Sequence, residues 1–151
     1  MDLLTALART LPFAFTSGIN LYATVAVLGL SYKPSTEVVE ESQGIHIARA
    51  LVTAGHKVVV HDPLALDPGP DAKVRAELGE SVTYMRNLDD AVANASAVIV
   101  ANSDPAFKAL TPSLFEGRAR PVFVLDCWRY LRDTLSTSPN VNYRAVGVAS
   151  E

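Results

Sequence analysis

The run Lys57-Val58-Val59-Val60-His61 constrains this chain more than any other feature. It is continuous and β-branched, with Gly55 shortly before it and an Asp62-Pro63 break directly after it. A segment this short, without polar alternation, reads as a strand buried on both faces, which is the habit of parallel sheets. Such a strand needs a crossover connection and helices over its faces, and the flanking sequence offers both. Residues 42–54 place Ile45, Ala48, Leu51 and Val52 on one helical face. Ser42 suits the N-cap of that helix, and Gly55 sits where a helix-ending residue with positive φ is wanted.

The same rhythm runs on from residue 25. Strands are predicted at 25–28, 57–61, 82–84, 97–101 and 121–125, with an edge strand at 143–148. Helices are predicted at 42–54, 71–78 and 89–94, and Asp104-Pro105 opens another, since proline suits a first turn. The stretch 63–70, with its prolines and a glycine, is a loop. This alternation predicts a Rossmann-like three-layer α/β sandwich with a mainly parallel sheet. Residues 25–151 make up that domain, and 151 residues leave little room for a second core.

Composition excludes several classes. With 49% apolar and 19% charged residues the chain is a folded globule and not a disordered one. The net charge of -3, without a Lys/Arg cluster, argues against nucleic acid or an anionic membrane as partner. A single cysteine, Cys127, excludes an internal disulfide and a multi-cysteine zinc site, and fits a reducing, cytoplasmic compartment. Residues 11–32 carry no charge and are long enough to span a bilayer, but Pro12, Thr16, Ser17, Gly18, Asn20 and Thr24 weaken insertion. Residues 1–24 are therefore expected to be an apolar N-terminal helical segment, with membrane contact as the lesser reading. A secretory signal is disfavoured because Asp2 precedes Arg9, and cleavage near Ala26 would destroy the first strand.

In such sheets ligands bind outside the carboxyl ends of the strands, so chemistry is sought after residues 28, 61, 100 and 125. The first of these segments, Gly29-Leu30-Ser31-Tyr32-Lys33-Pro34, lacks the G-x-G-x-x-G spacing of a dinucleotide site. It offers a turn glycine, an aromatic ring able to stack on a base or sugar, and an ammonium for phosphate oxygens. On spacing alone a second reading stands beside this one: Tyr32 caps the core and Lys33 is a solvated loop charge. Asp62 either meets a ribose hydroxyl or forms a turn with Pro63. Trp128 is expected to cover the core and Cys127 to be an inert small hydrophobe. His46, His56 and His61 fall on a helix, a turn and a strand end without ligand spacing, so no metal site is predicted.

Four segments, VAVLGLSYKPSTEVVEESQG, AGHKVVVHDP, DDAVANASAVIVAN and VFVLDCWR, resemble in that order the C-terminal, UDP-binding domain of the UDP-glucose/GDP-mannose dehydrogenases. The resemblance runs from residue 25 to about 148. It implies an enzyme family that uses NAD to oxidise a nucleotide-sugar alcohol to a uronic acid, with this domain as its UDP-sugar half. It carries the nucleotide site onto Tyr32 and Lys33 and makes Arg129, after the late strand, a further substrate-binding candidate beside Asp62. Two departures stand out. Glu40 occupies a place where many members have an arginine reaching toward NAD, and the usual Asp-Gly-Arg reads Asp126-Cys127-Trp128, with Arg129 one place on.

The family's NAD-binding domain, its cysteine motif and its linking helix precede this domain and have no counterpart in these residues. No catalytic residue is therefore assigned, NAD is not expected to bind this chain alone, and catalysis would need a dehydrogenase N-terminal half in trans. The segment FAFTSGINLYATVAVLGL resembles instead the start of an uncharacterised bacterial membrane-protein family. The two resemblances overlap at residues 25–30, which would serve either as the end of a membrane helix or as the first strand. The alternative to a UDP-sugar domain is thus a non-catalytic, membrane-tethered α/β protein whose ligand site has decayed.

Overall fold

A computed structural model describes residues 24–66 and 72–147. The predictions for residues 1–23, the second half of the 63–70 loop, and residues 71 and 148–151 lie outside the described residues. Six strands form one sheet: β1 Thr24–Leu28, β2 Lys57–His61, β3 Thr83–Tyr84, β4 Ala97–Val100, β5 Val122–Asp126 and β6 Val141–Ala145. Their order is β3-β2-β1-β4-β5-β6, and every pairing is parallel. The strand order reverses between β1 and β4, which opens a crevice at their carboxyl ends.

Strand alternation divides the core in two. Val25 and Val27 point to one face, where they meet Ile45, Ile47, Ala48 and Leu51 of α1 (Gln43–Thr53) and Val74 and Leu78 of α2 (Ala72–Leu78). Ala26 and Leu28 point to the other. There lie Ala91 and Val92 of α3 (Leu88–Ala93), Phe107, Leu110 and Phe115 of two 3-10 turns, and Leu135 of α4 (Arg132–Leu135). The result is the predicted three-layer sandwich. Ser42 caps α1 by accepting from Ile45 N at 3.3 Å, and Asn87 caps α3 by accepting from Asp89 N and Asp90 N. Each large aliphatic side chain buried on α1 contributes about 1.5–3 kcal/mol, and this packing, more than propensity, holds the helix down.

Three predictions are corrected. The helix opened by Asp104-Pro105 is a 3-10 turn, Pro105–Ala109, followed by a second, Pro112–Phe115. Pro112 lacks an N–H and restricts Thr111 to extended backbone, so the first turn cannot propagate. The edge strand lies at Val141–Ala145, ahead of the predicted 143–148, because β5 sets its register: Val122 faces Val141 and Asp126 faces Ala145. Gly147, at φ +81°, lies just beyond the strand, in the turn that follows it. Trp128, expected over the core, is instead exposed beyond β5. The ambiguity at residues 25–30 is resolved for the described part: β1 is hydrogen-bonded along both edges as a central strand. Among the described residues no helix is long and apolar enough to cross a membrane.

Candidate functional site

The crossover from β1 to α1, residues 29–42, runs over the carboxyl edge of the sheet, and buried polar groups fix its shape. Gly29 adopts φ +96° and donates its N–H to the His61 carbonyl at 2.9 Å. A Cβ on Gly29 would lie 2.6 Å from Asn102 Cγ, so glycine is needed for close approach as well as for conformation. Gly44, in the first turn of α1, is tighter still: a Cβ there would sit 1.8 Å from the Gly29 carbonyl oxygen. The pair lets α1 rest its first turn on the end of β1.

Asp62, 3% exposed at the end of β2, turns its carboxylate inward. Oδ2 accepts from Leu30 N at 2.8 Å, Ser31 N at 2.9 Å and Ser31 Oγ at 3.0 Å. Oδ1 accepts from Leu64 N and Ala65 N, both at 2.9 Å, which closes the turn after Pro63. The carboxylate thus joins the β1 and β2 loops. Asn102 Nδ2 donates to the Ser31 carbonyl at 3.3 Å, and Asp104 Oδ2 accepts from Ser35 N at 3.2 Å. Ser35 and Glu41 both stand at positive φ, 59° and 57°. Over this scaffold Tyr32 is 52% exposed, its N–H held by the Val38 carbonyl at 2.6 Å. Lys33 is exposed too, and its Nζ lies 5.4 Å from the centre of the Tyr32 ring. That contact is worth about 0.5–1 kcal/mol at an exposed site and keeps the ammonium beside the aromatic face.

A second clamp lies at the end of β5. Asp126, fully buried, accepts from Trp128 N at 3.0 Å, Leu131 N at 2.7 Å and the Tyr143 hydroxyl at 2.8 Å. This closes the turn that carries Arg129, exposed and at φ 57°. Trp128 does not cover the core as predicted: it is 59% exposed, because closure of the turn on Asp126 leaves the indole outside. Only Nε1 reaches in, donating to the Ala101 carbonyl at 2.9 Å. Ala101 and Asn102 therefore tie the Arg129 turn and the Tyr32 loop to the same stretch after β4, and put Tyr32, Lys33, Trp128 and Arg129 on one edge. Cys127 packs against the core, and burial, assisted by the neighbouring Asp126 charge, pushes its thiol up to about 12. The Tyr143 phenol is raised as well, by burial first and by its bond to Asp126 second.

Residues 26–133 match the model of the UDP-glucose/GDP-mannose dehydrogenase family, UDP binding domain. The chain belongs to this family. It is 37% identical over 98 residues to the UDP-glucose 6-dehydrogenase AglM of Haloferax volcanii, a match covering 65% of this chain and 21% of that protein. It is 31% identical over 99 residues to the GDP-mannose 6-dehydrogenase of Azotobacter vinelandii, covering 62% and 23%. Among solved structures, a UDP-glucose dehydrogenase from the archaeon Pyrobaculum islandicum superposes with a TM-score of 0.70 at 31% identity, over 95% of this chain and 29% of that one. The chain spans about a fifth of the length of the curated relatives it matches.

Within this UDP-binding domain the departure at Glu40 has a local account: its carboxylate accepts from Lys73 Nζ at 2.7 Å, and that bond holds its pKa below the ordinary value. A groove of about 920 Å³ opens at the opposite end of the sheet, beside Ser96, Arg118, Pro121 and Asn142. Arg118 there donates to the carbonyls of Val92 and Ala95, both at 2.6 Å, and so closes backbone ends of α3 and its loop. Burial lowers its pKa. Among the described residues no three His, Cys, Asp or Glu side chains are grouped to hold a metal. Sequence reasoning missed Asn102, Asp104 and Asp126. Their signal is faint: polar side chains at or shortly past the ends of two buried strands, with partners up to 71 residues away.

Proposed function

We propose that this domain holds a UDP-sugar at the carboxyl edge of its sheet, with Tyr32 against the nucleotide, and Lys33 and Arg129 on the diphosphate. The observation that carries this reading is the combination of an immobilised backbone and exposed side chains. Residues 30–35 are pinned by Asp62, Asn102 and Asp104, while Tyr32 and Lys33 stand in solvent at the switch point of the strand order. Preorganisation of that kind lowers the entropy cost of binding. Asp62, spent on five donors of the loops, is a positioning residue in this account and not a ribose contact.

Residues 25–151, with Thr24 joined to them in β1, act as the binding domain in a cytoplasmic setting, and the preceding residues as a separate apolar segment. Cys127 is no nucleophile, since its thiol is held protonated against the core. Oxidation of the sugar belongs to an NAD-binding half, and these residues by themselves take up the UDP-sugar without NAD. The exposed Tyr32 and Trp128 on the binding edge suit the approach of such a half.

Calorimetric titration with UDP, UDP-glucose and NAD tests the reading. Saturable UDP binding is expected, weakened about tenfold or more in Lys33→Ala, since one charge-assisted contact is worth about 1.5–3 kcal/mol. Absence of binding to all three would favour the alternative, a membrane-tethered protein with a decayed site.

A further inference from the structure

In dinucleotide-binding domains of this topology, the turn after the first strand aims its N–H groups at the pyrophosphate, and an acidic residue further along binds the ribose. Here both parts are present and joined to each other. The N–H groups of Leu30 and Ser31 converge on a single point, as in a backbone anion nest, and the Ser31 hydroxyl joins them. That point is already filled by Asp62 Oδ2, at 2.8 to 3.0 Å from all three donors. The other oxygen is engaged by Leu64 N and Ala65 N, so the carboxylate is saturated and buried. Asn102 closes the remaining side, against Gly29. At the start of α1, Ile45 N is taken by Ser42 Oγ.

We propose that Asp62 sets the ligand class of this domain: its carboxylate occupies the anion nest of the β1 turn in place of a phosphate. A dinucleotide pyrophosphate is thereby excluded from the switch point, and the ligand's phosphates are left to the outer side chains. The second half of this statement rests on the roles given to Tyr32 and Lys33 above; the first half does not. An intramolecular carboxylate is present at high effective concentration and loses little freedom on binding, so a free pyrophosphate competes poorly with it. The same bond fixes the loop from which Tyr32 and Lys33 project, which couples exclusion of one ligand to presentation of the other.

The test uses inorganic pyrophosphate as probe and the full chain carrying Lys33→Ala, so that the outer ammonium does not contribute. Asp62→Ala is added to that background, and Asp62→Ser, whose short side chain also leaves the nest, serves where the alanine variant does not fold. Emptying the nest should raise pyrophosphate affinity about tenfold or more, with the amide resonances of Leu30 and Ser31 moving on titration. Equal affinity with and without Asp62, in folded variants, would overturn the proposal. If neither variant folds, the Lys33→Ala chain with Asp62 intact decides: the Leu30 and Ser31 amides should stay fixed in millimolar pyrophosphate or NAD, and their movement would overturn it. Failure of the UDP-site reading is separate, since it appears as UDP binding that Lys33→Ala leaves unchanged.

Discussion

Replacing Asp126 with alanine should be among the most damaging single changes in this domain. The carboxylate is wholly buried and accepts three donors, of which Leu131 N is buried while Trp128 N and the Tyr143 hydroxyl are partly accessible. An orphaned buried donor costs about 1–3 kcal/mol, and partly accessible ones less because water can replace the partner. The sum is about 3–5 kcal/mol, a large share of the roughly 5–15 kcal/mol that stabilises a typical domain. Tyr143→Phe removes one of the three bonds and should cost about 1–2 kcal/mol. Because the two side chains touch, the double variant should be less destabilised than the sum of the singles. Denaturant unfolding followed by Trp128, the single tryptophan, provides the assay, with native emission reporting whether the turn is still closed. An Asp126→Ala protein within about 1 kcal/mol of the parent, or strict additivity with Tyr143→Phe, would refute the clamp.

Gly44→Ala should destabilise by about 1–3 kcal/mol or more, since the new methyl meets the Gly29 carbonyl and neither backbone can yield freely; thermal unfolding measures it. The thiol of Cys127 stays protonated in the folded state up to about pH 12, whereas in the unfolded chain it ionises near 9. A raised folded pKa stabilises fully below the unfolded value and is lost above it. Stability should thus fall between pH 9 and 12 by up to about 1.4 kcal/mol per pH unit from this group. Denaturant midpoints across that range should show a shallower fall in Cys127→Ala, and identical slopes would contradict the assignment.

What could be read from sequence followed from local rules. The bounds of β2 and the cap at Ser42 are set by a β-branched run and by one side chain reaching three residues on, and both are found as predicted. The end of β6 was misplaced because an edge strand takes its limits from the neighbour it pairs with, here β5. Trp128 was misplaced for a related reason: its large apolar surface argues for burial, but the turn that carries it is closed by Asp126, whose three partners lie at different distances along the chain. Tyr32 and Lys33 were visible as candidates because they follow a strand. That Asp62 faces inward, onto donors 31 and 32 residues away, is a tertiary fact with no local signature.

Whether the carboxyl edge of the sheet is the UDP site can be read residue by residue from an amide-resolved NMR titration with UDP. Amide resonances of residues 30–33, 35, 101–104 and 128–131 should move together along one binding curve. Those around Arg118 and Ser138, at the other end of the sheet, should stay fixed. Shifts confined to that opposite groove, or none at UDP concentrations in the millimolar range, would contradict it.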